Sequence, residues 1–95
     1  MDTIEELVEV FKALSDSTRL QLLELLRSGQ ALCVNALAKR LGVTQSAVSQ
    51  HLRVLRQAGL VTGNRKGSFI HYSVRQDQLD LCRRRISKML GGRDS

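Results

Sequence analysis

Proline and tryptophan are absent from the 95 residues, and the aromatics amount to one tyrosine and two phenylalanines. So few rings exclude a single-strand binder that stacks bases on aromatic platforms, and with no linker or low-complexity tract the chain reads as one domain, residues 1–95. Cysteine stands only at positions 33 and 82. Two are too few for a disulfide scaffold, and a reducing compartment keeps them as thiols. No apolar run approaches the roughly 18 residues of a membrane span. The acidic opening Met1, Asp2, Glu5, Glu6 is unlike a signal peptide, so the expectation is a cytoplasmic protein without a membrane partner. Paired carboxylates, a Ser-His-Asp set and a phosphate-cradling glycine loop are all missing, which argues against an enzyme.

What is abundant is positive charge, in one place. The formal net charge is +6. Residues 1–24 carry a net −4, residues 76–95 a net +2, and residues 25–75 hold eight bases and no acid, a net +8. A stretch of 51 residues without a carboxylate makes a polyanion the expected partner, and nucleic acid the first candidate.

Ile4, Leu7, Val8, Phe11 and Leu14 recur at helical spacing and predict an amphipathic helix over 3–14. Ser15, Asp16 and Ser17 offer capping oxygens to a second helix through Leu20, Leu22, Leu23, Leu25 and Leu26, ended by Ser28 and Gly29. Asn35 is the expected cap of a third helix, 36–41, stopped at Gly42, and Thr44 of a fourth, 45–57, ended by Gly59. Helix, tight glycine turn and helix over 36–57 is helix-turn-helix spacing. Residues 60–64 and 68–74 predict two strands around the turn-forming run Asn64-Arg65-Lys66-Gly67, a hairpin with a basic tip. Leu79, Cys82, Ile86, Met89 and Leu90 place a fifth helix over 76–90. The expected fold is mainly α with a small β-hairpin, a winged helix-turn-helix of five helices and a two-stranded wing.

On a helical wheel Ala47, Val48, His51, Leu52, Leu55 and Ala58 share the inward side of the fourth helix, while Ser46, Ser49, Gln50, Arg53, Arg56 and Gln57 share the outward side. Amides and guanidinium groups hydrogen-bond base edges in a major groove, and hydroxyls suit phosphate. The candidate DNA-binding residues are therefore Thr44, Gln45, Ser46, Ser49, Gln50, Arg53 and Gln57, with Arg65 and Lys66 of the wing on phosphate or minor groove.

The runs Ala13-Leu14-Ser15-Asp16-Ser17-Thr18-Arg19-Leu20, Thr44-Gln45-Ser46-Ala47-Val48-Ser49-Gln50-His51-Leu52 and Leu55-Arg56-Gln57-Ala58-Gly59-Leu60-Val61, with the wing from Arg65 to Tyr72, resemble the ArsR/SmtB family of winged-helix repressors. The resemblance implies a homodimer built from the first and last helices, 3–14 and 76–90, that binds inverted-repeat operator DNA and leaves it when an inducer binds. The apolar stripes of both terminal helices point the same way, since a monomer this small cannot cover them.

The family's inducer sites match less well. Its soft-metal sensors carry Cys-Val-Cys where this chain reads Cys33-Val34-Asn35, and the zinc positions of its last helix correspond to Gln76, Gln78, Met89 and Gly92, poor zinc ligands. Cys33 and Cys82 remain as the possible sensor. The resemblance to members that sense oxidants or reactive sulfur implies a thiol switch, for which Arg83, Arg84 and Arg85 are expected to lower the Cys82 pKa. The alternatives are a soft metal or metalloid held by the same two cysteines, no other cofactor being required, or a winged-helix module for protein or RNA without an inducer.

Overall fold

The computed structural model describes residues 3–92. Five helices and a small sheet follow one another as α1 (Ile4–Leu14), α2 (Ser17–Leu26), β1 (Leu32–Cys33), α3 (Val34–Leu41), α4 (Gln45–Gln57), β2 (Val61–Lys66), β3 (Phe69–Val74) and α5 (Gln76–Met89).

Local chemistry sets most of these boundaries. The Thr3 hydroxyl accepts the Glu6 N–H at 3.1 Å to start α1, and the Asp16 carboxylate accepts the Arg19 N–H at 3.0 Å to start α2. Thr44 caps α4 through the Ala47 N–H at 3.1 Å. Each satisfies an amide that the first helical turn leaves without a partner. The other end of α4 closes as a Schellman motif: Leu60 N–H reaches Leu55 O at 3.0 Å and Gly59 N–H reaches Arg56 O at 2.9 Å. That closure needs a left-handed residue, supplied by Gly59 at φ 78°.

Three expectations shift. The third helix begins at Val34 rather than Ala36, its N-cap is Cys33, and Asn35 lies inside it. The cause is long-range: Leu32 and Cys33 pair antiparallel with Tyr72 and His71, so the backbone stays extended up to Cys33. The wing hairpin thereby gains a third strand, in the order β1-β3-β2. The hairpin is also longer and its turn tighter than expected, because Asn64, Arg65 and Lys66 pair with His71, Ile70 and Phe69. Only Gly67 and Ser68 remain for the loop, with Gly67 at φ 63°, as a two-residue hairpin turn requires.

The core gathers Leu7, Val10 and Ala13 of α1, Leu22 and Leu26 of α2, Leu37 and Ala38 of α3, and Val48, Leu52 and Leu55 of α4 under Leu32, Leu60 and Val61. From α5 only Cys82 is buried. The stripe on α1 turns out to be two faces: Leu7 enters the core, while Ile4, Val8 and Phe11 stand 52%, 42% and 46% exposed. Leu81 and Met89 of α5, and Leu90 that caps it, are exposed as well. The molecule measures 43 × 22 × 20 Å with a radius of gyration of 14.0 Å, longer than the roughly 12 Å of a compact chain of this length.

Candidate nucleic-acid interface

Helix α4 is held from inside by Val48, Leu52 and Leu55, all essentially without solvent contact. With that face fixed, Ser46, Ser49, Gln50, Arg53, Arg56 and Gln57 are all exposed, as the wheel places them. Thr44 is exposed too, with its hydroxyl oxygen engaged in the cap. Arg65 and Lys66 stand exposed on the last rungs of β2, opposite Ile70 and Phe69.

A groove of about 310 Å³ runs between the N-termini of α3 and α4 and the wing, lined by Cys33, Asn35, Gln45, Ser49, Ser68 and Phe69 among others. The Gln45 amide donates to Asn35 Oδ1 at 3.1 Å across it. The fold thus brings Gln45 and Ser49 together with the wing, and it adds Asn35 and the 58% exposed Phe69, neither of which sequence reasoning selected. Gln57 is set apart at the far end of α4. It lines crevices shared with Glu6 and Glu9 of α1, the acidic part of the chain.

His51, on the inward side of α4, is half-buried and sits in a polar cluster that sequence spacing does not show. Arg19 of α2 donates from Nε to Ala13 O at 2.6 Å and from Nη2 to Lys12 O at 3.1 Å, and its Nη1 lies 3.3 Å from His51 Nδ1. The Asp16 Oδ2 that caps α2 is 3.8 Å from the same Nδ1. The Arg19 backbone N–H, helped by the Arg19 charge, holds the Asp16 carboxyl below its ordinary range despite some desolvation.

The two cysteines differ in setting. Cys33 is half-buried at the head of α3 and Cys82 is buried in the core; both are free thiols. Burial pushes the Cys82 thiol up, with no lowering contribution from the neighbouring arginines. Arg83 and Arg84 are exposed, so the expected depression of the Cys82 pKa gives way to desolvation. The Nδ1 of His71, opposite Cys33 in the sheet, is buried without a hydrogen-bond partner. Among the described residues no three His, Cys, Asp or Glu side chains are grouped to hold a metal ion, and no helix is long and apolar enough to cross a membrane.

Comparison with known proteins agrees with this architecture. Residues 16–62 match the profile of the bacterial regulatory protein family arsR. The transcriptional repressor SdpR of Bacillus subtilis is 40% identical over 65 residues, which cover 68% of this chain and 71% of SdpR. An ArsR-like transcriptional regulator from Rhodococcus superposes with a TM-score of 0.85 at 34% identity, over 96% of this chain and 85% of that one. A solution structure of a homodimeric winged helix-turn-helix DNA-binding domain from Mycobacterium bovis gives a TM-score of 0.76 at 28% identity, over 93% and 80%. With a family profile, a repressor relative and winged-helix neighbours all converging on the same residues, the chain belongs to the arsR family of bacterial regulatory proteins, a transcriptional regulator on a winged-helix DNA-binding scaffold and not an enzyme.

Proposed function

We propose that the protein is a homodimeric repressor that reads an inverted-repeat operator with α4 and steadies itself on phosphate through the wing. The observation that carries this is the exposed face of α4: serines, glutamines and arginines with no acid among them, beside a wing bearing Arg65 and Lys66. Gln45, Ser46, Ser49, Gln50 and Arg53 face base edges, Thr44 sits at the phosphate line, and Gln57 marks the outer limit of the contact. Dimerisation through α1 and α5 is supported by the apolar residues both leave exposed and by the homodimeric Mycobacterium bovis relative. Two copies then place their reading helices in successive major grooves, about one helical turn apart.

Release from DNA is assigned to thiol chemistry at Cys33 and Cys82. Cys33 is the accessible thiol, while burial makes Cys82 the slower partner. Closing the pair into a disulfide releases two electrons and two protons, which reduce a peroxide to water and alcohol or split a polysulfide S–S bond into two shorter sulfide species. A soft metal or metalloid bound by the same thiols is the competing reading.

Selection from a random duplex pool, followed by fluorescence anisotropy at fixed salt, tests the first part. The expected product is an inverted repeat bound far more tightly than RNA of the same sequence. Equal binding of RNA, or no enrichment, rejects the DNA reading. For the second part, polysulfide dissociates wild type and dithiothreitol restores binding, whereas a Cys33→Ser/Cys82→Ser variant binds and ignores polysulfide. A variant that still dissociates rejects the thiol reading and the metal reading together.

A further inference from the structure

Arg19 has no reason to face DNA, yet its guanidinium joins three parts of the fold. Two of its nitrogens hold the last carbonyls of α1, at Lys12 and Ala13, and the third reaches His51 on α4. A guanidinium only donates hydrogen bonds. At 3.3 Å from Arg19 Nη1, His51 Nδ1 must therefore be the acceptor, which fixes the ring as the neutral tautomer with its proton on Nε2. The second group near Nδ1 is of opposite kind: Asp16 Oδ2, at 3.8 Å, only accepts. One ring nitrogen thus stands between a donor that needs it bare and an acceptor that needs it protonated.

We infer that Arg19 is a positioning residue for the DNA-reading helix, acting through His51, and that a proton on His51 undoes the arrangement. With Nδ1 bare, Arg19 ties α4 to the end of α1. When Nδ1 takes up a proton from solvent, the bond to Arg19 is lost, two cations are left side by side, and the ring turns to Asp16. Asp16 Oδ2 is also the cap of α2, so the exchange loosens the start of the helix that carries Arg19. The charged groups around the ring are Asp16 from the α1–α2 turn and Arg19 from α2, with Glu9 and Lys12 of α1 lining the crevice that Arg19 shares with α4.

The direction is opposite to general electrostatics. A basic protein gains positive charge as pH falls and should hold DNA more tightly; here affinity falls instead. This inference rests on α4 reading DNA, so its test carries a readout that does not involve DNA. The first measurement is anisotropy of the full chain with a labelled duplex bearing the selected site, between about pH 8 and about pH 5.5. Wild type should lose about tenfold in affinity on acidification, the worth of one charge-assisted hydrogen bond. His51→Asn keeps an acceptor for Arg19 and carries no titrating proton, so it should bind like wild type at the upper pH and stay flat. Arg19→Gln should be weak and flat throughout while melting cooperatively, and His71→Asn should keep the wild-type fall. The second measurement is a long-range proton–nitrogen NMR spectrum of the imidazoles without DNA, which should show His51 as the Nε2–H tautomer at the upper pH. Affinity that rises on acidification, a His51→Asn variant that falls like wild type, or an Nδ1–H tautomer overturns the inference. Absence of specific binding at every pH rejects the DNA reading, and the tautomer alone then decides whether Arg19 and His51 are joined.

Discussion

Replacing Arg65 by alanine tests the division of labour between wing and helix. Arg65 lies one rung from the end of a hairpin closed by two residues, exposed and opposite Ile70, so its loss removes a charge without disturbing the core. Each phosphate contact contributes about 0.9 to the slope of log affinity against log salt. A dimer carries two copies of Arg65, so Arg65→Ala should flatten that slope by about 1.8. Between about 50 mM and about 200 mM salt, a fourfold change, the variant should therefore lose about twelvefold less affinity than wild type. The loss at fixed salt should be equal for the selected site and for unrelated duplex, because phosphate carries no sequence. Arg53→Ala is the counterpart: it should cost about 1–3 kcal/mol per half-site on the selected duplex, with little change on unrelated DNA. Anisotropy titrations at four or more salt concentrations give both numbers. An Arg65→Ala slope equal to wild type, or a loss confined to the selected site, refutes the assignment of the wing to phosphate.

The exposed row on α1 makes Phe11→Glu a disruptor of the dimer and not of the protomer. Sedimentation should show monomers, with helical content kept and operator affinity greatly reduced. Leu52, 1% exposed at the centre of α4, should cost about 2–5 kcal/mol on replacement by alanine, read as a lower urea midpoint with DNA binding retained where the variant is folded. Asp16 contributes in a pH-dependent way. Its folded pKa is lowered, so its contribution is present above the ordinary carboxylate value of about 3.9 and is lost as pH falls through the lowered value. Asp16→Asn keeps a capping side chain but does not titrate, so urea midpoints on the acid side should decline less steeply than in wild type.

What the sequence made legible were features set within a few residues of themselves. Thr44 and Gly59 bound α4 because a capping hydroxyl and a left-handed glycine act over one helical turn, and the outward face of α4 follows from its period once Val48, Leu52 and Leu55 are buried. What it hid was set by distant partners. Asn35 reads as a cap from its neighbours alone, but the strand paired to His71 ends at Cys33 and the helix starts at once, at Val34, so Asn35 lies inside the first turn and its amide oxygen accepts from Gln45 instead. The pKa of Cys82 follows the same logic: three arginines adjacent in sequence suggest a lowered value, yet on a helix consecutive side chains diverge by about 100°, and the core that surrounds the thiol comes from elsewhere in the chain.

The Arg19–His51 contact spans 32 positions in the chain, and its place in the fold links the outward face of α4 to the terminal helices. The face of α4 that meets solvent is free to match an operator, since none of its side chains is needed for the core. The opposite face is tied to α1, and α1 with α5 presents the apolar surface that a second copy would cover. Any event that moves α1 or α5 therefore reaches the reading helix through the packing of Val48, Leu52 and Leu55 and through the guanidinium that holds the end of α1. Cys82 is the one α5 residue buried in that shared core, so under the proposed thiol switch a modification of its sulfur would shift the seat of α5 without touching DNA, whereas one at Cys33 would enter the groove beside Gln45 and Ser49 directly. Single Cys33→Ser and Cys82→Ser variants separate the two routes: if both abolish the response to polysulfide the pair acts together, whereas if Cys33→Ser alone abolishes it while Cys82→Ser keeps it, the disulfide of the pair is rejected and the signal enters at the DNA groove and not through α5.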